Sequence, residues 1–206
     1  LDRLCPPPAI LATNTSGFLV TDIASVTKHP ERIIATNYYQ PPHFVPLVEM
    51  VAGQKTERST IERSAKLLSG LHKRVVVIDK EIPGLILGNR IQRAMLKEIQ
   101  TLVDEGVATP QMIDDIMSFG LGPRMIYTAF FRRLDLIGLD FLNTALKEWG
   151  LPPWKPIADR VERGELGMKT GRGFYEWPGD TAKRLNHRMN VELIRLMKQE
   201  IADGII

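Results

Sequence analysis

The sequence predicts an α/β region followed by an all-α region, and three observations predict it. Before Pro83-Gly84, short apolar or β-branched runs alternate with stretches of helical spacing. After that dipeptide, the patterned stretches carry apolar residues three and four apart. Proline and glycine punctuate both regions at the expected ends of elements. A hydrophobic fraction of 44% and a charged fraction of 25% are those of an ordinary globular chain, and 206 residues are enough to bury a core.

The elements follow in order. Residues 9–13, after Pro6-Pro7-Pro8, read as a buried strand, and Asn14-Thr15-Ser16-Gly17 as the turn that ends it. Residues 21–26 fit one or two helical turns. Residues 32–39 read as a strand stopped by Pro41-Pro42, and residues 45–51 as another. Residues 56–70 form a helix with Ile61, Ala65 and Leu68 on one face and Gly70 as its stop. Residues 75–78 are a short β-branched run, read as a buried strand. The helical part opens with residues 89–105, whose apolar side is Ile91, Met95, Ile99, Leu102 and Val103. Thr109 is placed to cap the next helix, with Pro110 at its first position. A third helical stretch covers residues 130–149 with a break near Gly138. Asp180 is placed to cap the last helix, whose stripe is Leu185, Met189, Leu193, Leu196 and Met197. The boundary falls near Pro83, giving residues 1–83 and 84–206.

Composition removes several function classes. There are 27 basic and 24 acidic residues, a net charge of +3, and no basic run interleaved with aromatics, so a nucleic-acid partner is not expected. No apolar run reaches the ~18 residues of a membrane span, and the first residues do not form a signal peptide, so no membrane association is expected. The only cysteine, Cys5, cannot close an internal disulfide, and no Cys/His cluster has metal-ligand spacing; a reducing cytoplasm and no metal are expected. The chain lacks an initiator Met and reads as a fragment or a processed chain.

Four segments carry a family resemblance. They are ILATNTS (residues 10–16), RIIATNYYQPPHFVPLVE (residues 32–49), PGLILGNR (residues 83–90) and GELGMKTGRGFYEW (residues 164–177). In this order and spacing they resemble the "NTSS", "HFFNPxxxxxLVE", "PGFIVNR" and "GxxGxKTGxGFYxY" segments of the L-3-hydroxyacyl-CoA dehydrogenase family. Pro41-Pro42 and Val45-Pro46-Leu47 are closer to its branch near lambda-crystallin and gulonate dehydrogenase. The resemblance implies the second half of a Rossmann-type NAD-binding domain followed by a helical dimerisation domain. It implies NAD as cofactor, an acyl-CoA or small hydroxy acid as substrate, and a homodimer. The family's G-x-G-x-x-G fingerprint is absent from these residues. The sequence opens where the second half of the nucleotide domain begins, so the first half lies outside it or the protein works without it.

Residue by residue, the resemblance implies a site. Glu49 matches the carboxylate of the family's His–Glu dyad, and Asn37 stands at the histidine position. Ser16 matches the serine that binds the substrate oxygen beside the nicotinamide, with Asn14 in the same turn on the cofactor side. Gln40 replaces a cofactor-contacting asparagine. Asn89 matches the asparagine that joins the site from the first helix of the helical domain, and Lys169 a lysine that reaches the cofactor. Dehydrogenation needs a base for the hydroxyl proton, usually an imidazole charge-balanced by a carboxylate. An amide donates a hydrogen bond but cannot take that proton. Two readings stay open: NAD-dependent oxidation of a secondary alcohol, or a non-catalytic binding or structural member of the same fold. A helical interaction module built on residues 84–206 is a third. His43 is the histidine nearest the vacant role; His29, His72 and His187 carry no pattern.

Overall fold

The sheet of the first unit runs β1 (Leu11–Thr13), β2 (Ile33–Tyr38), β3 (Leu47–Ala52), β4 (Arg74–Ile78) in spatial as in chain order. β1 and β2 are parallel, β2 and β3 antiparallel, β3 and β4 parallel. The parallel pairs need crossovers, and helices α1 (Val20–Ser25) and α2 (Arg58–Gly70) supply them. The structure is a computed structural model, and it describes residues 1–82 and 86–206. The boundary expected at Pro83, and the Pro-Gly-Leu start of the third segment, lie outside the described residues. By compactness the chain divides into Leu1–Asp104 and Glu105–Ile206.

Alternation along β2 sets the two faces of the sheet. Ile33 and Ala35 pack with Val20 and Ala24 of α1, with Val51 and Ile78 alongside. Ile34 packs with Val48, Met50 and Leu68 on the α2 side. Buried on both faces, β2 reads as a continuous apolar run with polar residues only toward its end. Arg32, just before it, is buried and ties the N-terminal segment down. It donates to Asp2 Oδ1 at 2.9 Å and to the carbonyl of Pro6 at 2.8 Å.

Two strands differ from expectation. β1 is half-buried, and β4 leaves Val76 and Val77 more than a third exposed; among the described residues each of these strands has one neighbouring strand. Helix α3 (Leu87–Asp104) starts two residues before Asn89, so Asn89 lies within its first turn and does not cap it. None of the α3 residues is buried.

The second unit is helical. Thr109 accepts from the Met112 N–H at 3.2 Å and caps α4 (Pro110–Asp115), as its sequence suggests. A π-turn at Ile116–Leu121 leads into α5 (Gly122–Thr128). The expected break at Gly138 separates α6 (Phe131–Ile137) from α7 (Leu139–Glu148). Helix α8 (Lys155–Glu162) adds Ile157 to the core of Leu134 and Leu139. Asp180 precedes α9 (Thr181–Ala202) but gives it no side-chain cap, since its carboxylate is taken by Arg184 one turn on.

A buried carboxylate organises the fourth segment. Asp135 of α6, 1% exposed, accepts from the Phe174 N–H at 2.8 Å, the Tyr175 N–H at 3.0 Å and the Trp177 indole at 2.9 Å. Gly173 lets the loop come this close: a β-carbon there would overlap Asp135 Oδ1 and lie 2.7 Å from its Cγ. Replacing Asp135 by alanine leaves three donors without an acceptor in a dry site. The expected loss is about 3 kcal/mol or more, read from the urea midpoint by tryptophan fluorescence, with Asp135→Asn losing less because one acceptor oxygen remains.

Candidate functional site

The face of the sheet that holds α1 also carries the polar residues of the site. Asn37 follows Ile33 and Ala35 on that face, beyond the cover of α1. Glu49 is its cross-strand partner on β3, so the two residues expected as a dyad do stand side by side. Both are buried, Asn37 at 8% exposure and Glu49 at 3%.

A carboxylate at 3% exposure requires donors, since an unpartnered one would be far too costly to hold in an apolar site. Asn37 is not the donor found. Glu49 Oε1 accepts a hydrogen bond from the Tyr39 hydroxyl, and another from the Gly88 N–H at 3.1 Å. The second oxygen lies 3.4 Å from the same N–H. Gly88 is the second residue of α3, so its N–H is one of those a helix start leaves without an intrahelical partner. Tyr39, two residues after Asn37, comes back onto the same face. Burial first, then the hydrogen bond to Glu49 and its charge, hold the Tyr39 phenol well above its ordinary value.

Gly88 makes the arrangement possible. A β-carbon at this position would overlap the Tyr39 hydroxyl and stand 2.7 Å from Glu49 Oε1 and 2.8 Å from Tyr39 Cζ. Neither Tyr39 nor Gly88 stood out in the sequence. The signal was there in Tyr39 sharing strand parity with Asn37, but its partner lies in a helix far along the chain.

The other expected residues fall in several places. Ser16 is half-buried and lines a cleft with Thr15, Phe18, Ala35, Val51 and Leu87. Three of these wall residues neighbour the site along their own elements: Ala35 precedes Asn37, Val51 follows Glu49, and Leu87 adjoins Gly88. Asn14 accepts from the Tyr38 N–H at 3.2 Å, which ties the turn after β1 to the end of β2. Gln40 is exposed, and Asn89 is half-buried in α3. Lys169 lies in the second unit, where its ammonium sits 2.6 Å from both oxygens of Asp140. His43 is exposed and stacks on Phe44, with ring centres 4.1 Å apart.

A sheet with helical crossovers and a polar turn at the carboxyl end of a parallel strand have the architecture of a Rossmann-type domain, here followed by helices. Residues 1–82 match the NAD binding domain of 3-hydroxyacyl-CoA dehydrogenase, and residues 87–177 match its C-terminal domain. A 3-hydroxyacyl-CoA dehydrogenase from Archaeoglobus fulgidus is 30% identical. It superposes with a TM-score of 0.81 over 93% of this chain and 68% of its own. The chain belongs to the 3-hydroxyacyl-CoA dehydrogenase family. Among relatives, a probable 3-hydroxybutyryl-CoA dehydrogenase of Bacillus subtilis is 35% identical over 88% of this chain. A 5-formyl-3-hydroxy-2-methylpyridine 4-carboxylate 5-dehydrogenase of Mesorhizobium japonicum is 28% identical over 96%. The chain spans 64% and 66% of the lengths of these two relatives.

NAD is the cofactor that the family match implies. The residues that would hold one end of it are Ser16, in the turn after β1, and Asn37, toward the end of β2, at the carboxyl ends of parallel strands where dinucleotides bind. A Gly-rich turn for the pyrophosphate is not encoded in these 206 residues.

The tight contact around Gly88 is open to test. Gly88→Ala is expected to cost about 1–3 kcal/mol by overpacking, seen in thermal unfolding. Shortening the facing side chain should recover part of that cost. A cycle of Gly88→Ala with Tyr39→Leu is therefore expected to show a coupling of roughly 0.5 kcal/mol or more.

Proposed function

We propose that this chain is part of an NAD-dependent oxidoreductase that converts a secondary alcohol to a ketone, on a hydroxyacyl-CoA or a small hydroxy acid, in the cytoplasm. Residues 1–83 supply the C-terminal part of the NAD-binding domain, and residues 84–206 the helical substrate and dimerisation domain. The observation that carries this reading is Glu49, a carboxylate kept buried and hydrogen-bonded beside Asn37 at the carboxylate position of the family's dyad. A structural role alone gives little reason to hold a carboxylate there, where a well-packed apolar residue is often as stable or more so.

The roles divide as follows. Ser16 and Asn37 hold the substrate oxygen by hydrogen bonds, and Asn37 donates without taking a proton. Asn14, Ser16 and Gln40 serve the cofactor side, and Asn89 lies in the first turn of α3, beside Gly88. Lys169 serves the cofactor only by leaving Asp140, its present partner. NAD accepts the hydride when bound. Steady-state NADH formation by the full-length protein, with 3-hydroxybutyryl-CoA and with short hydroxy acids, tests the reading. Turnover on at least one is expected, and Glu49→Gln is expected to lower it by about 10²-fold or more. A protein that binds NADH yet oxidises none of these alcohols would establish the other reading, a non-catalytic member, which Asn37 at the histidine position favours.

A homodimer formed through the helices is part of the same proposal. Ile91 and Leu96 of α3 and Ile126, Ile194, Met197 and Ile201 of the second unit are large and exposed. A second copy is the partner that would cover them. Light scattering at micromolar concentration should give twice the chain mass, and a monomer mass would refute the dimer.

A further inference from the structure

The chemistry above leaves the hydroxyl proton without an acceptor, because the residue at the imidazole position is an amide. The structure supplies another group in reach of the same carboxylate. The Tyr39 hydroxyl donates to Glu49 Oε1, and Gly88 both donates its N–H to that carboxylate and leaves the space the phenol occupies. Tyr39 is half-buried while Glu49 is 3% exposed, so the phenol is the more accessible residue of the pair.

We propose that Tyr39 and Glu49 form the proton relay of this site, with Tyr39 Oη meeting the substrate hydroxyl and Glu49 taking the proton behind it. The inference rests on the dehydrogenase reading. A phenol that donates to a carboxylate keeps two lone pairs for a second hydroxyl. In the oxidation, the substrate O–H bond breaks and its proton moves to Tyr39 Oη, while the proton of Tyr39 moves to Glu49 Oε1. Bound NAD would supply the acceptor for the carbinol hydride, leaving the ketone. On the protein side Glu49 ends protonated and the phenol ends neutral, as it began. A phenol held above its ordinary value is a poor base alone, and the relay never asks it to ionise. Gly88 is then a positioning residue, since any side chain there would push the phenol off the carboxylate.

Two measurements on the full-length protein test this. In steady-state alcohol oxidation, Tyr39→Phe keeps the ring and removes the relay. It is expected to lower kcat by about 10²-fold or more with little change in KM. Combining it with Glu49→Gln should cost little beyond either single change, because the two act as a unit. The second measurement needs no cofactor: tyrosines labelled with ¹³C at Cζ are titrated by NMR, with Tyr39 assigned by its loss in Tyr39→Phe. The Tyr39 signal is expected to stay neutral beyond the ordinary phenol range, and to titrate earlier in Glu49→Gln. If the unmodified protein turns over and folded Tyr39→Phe is as fast, the relay is wrong and the dehydrogenase reading stands. Titration of Tyr39 as a free phenol in both proteins would likewise refute the pair. If the unmodified protein oxidises no alcohol, the dehydrogenase reading falls and takes the relay with it.

Discussion

A carboxylate sealed into an apolar sheet face must be surrounded by donors, and Glu49 imposes that requirement on everything near it. The hydroxyl of Tyr39 and the first-turn N–H of α3 meet it. One group comes from just past the end of β2 and the other from a helix beyond β4, so the carboxylate connects three stretches of chain that are far apart in sequence. The helix end needs an acceptor as much as the carboxylate needs a donor. Each group satisfies the other, and this fixes where α3 begins against the sheet.

The sheet makes this placement repeatable. With a side-chain period of two, β2 can give Ile34 to one helix layer and Ile33 and Ala35 to the other, and still turn Asn37 toward Glu49 at its far end. A slip of one residue in the β2–β3 register would bury Met50 where Glu49 now stands and turn the acid toward α2. Ile34, Val48 and Met50 are almost fully enclosed, and they hold the register. The polar site is thus aligned by the apolar contacts on the opposite face.

Much of this is legible in the sequence, because it depends on local pattern. Residues 32–39, 56–70 and 75–78 announced strand, helix and strand, and Thr109-Pro110 and Gly138 marked helix ends through capping and backbone preference. The Asn37–Glu49 juxtaposition followed from the family segments. The rest depends on edge position and on side-chain pairings that pattern does not report. Edge position, which pattern cannot report, exposes Val76 and Val77. Asp180 looks like a cap, but a neighbouring guanidinium competes for its carboxylate. The pairing of Lys169 with Asp140 joins residues from separate segments and is not visible in the sequence. The Tyr39–Gly88 fit is a relation between two shapes, and neither residue carries it alone.

The same dependence on distant partners gives the loop of the fourth segment an unusual character. Gly167 through Trp177 has almost no regular ladder: two isolated bridges and a short 3-10 turn. Its amides at Phe174 and Tyr175 and the indole of Trp177 all end on one carboxylate, Asp135. Other amides of the loop bond within it, such as the Gly167 N–H to the Arg172 carbonyl and the Trp177 N–H to the Gly171 carbonyl. Asp135 ties that internally bonded loop to helix α6 through three donors at once, and so couples its opening to the core. Backbone that looks irregular on paper should then keep its amide hydrogens as long as Asp135 keeps its place in the core.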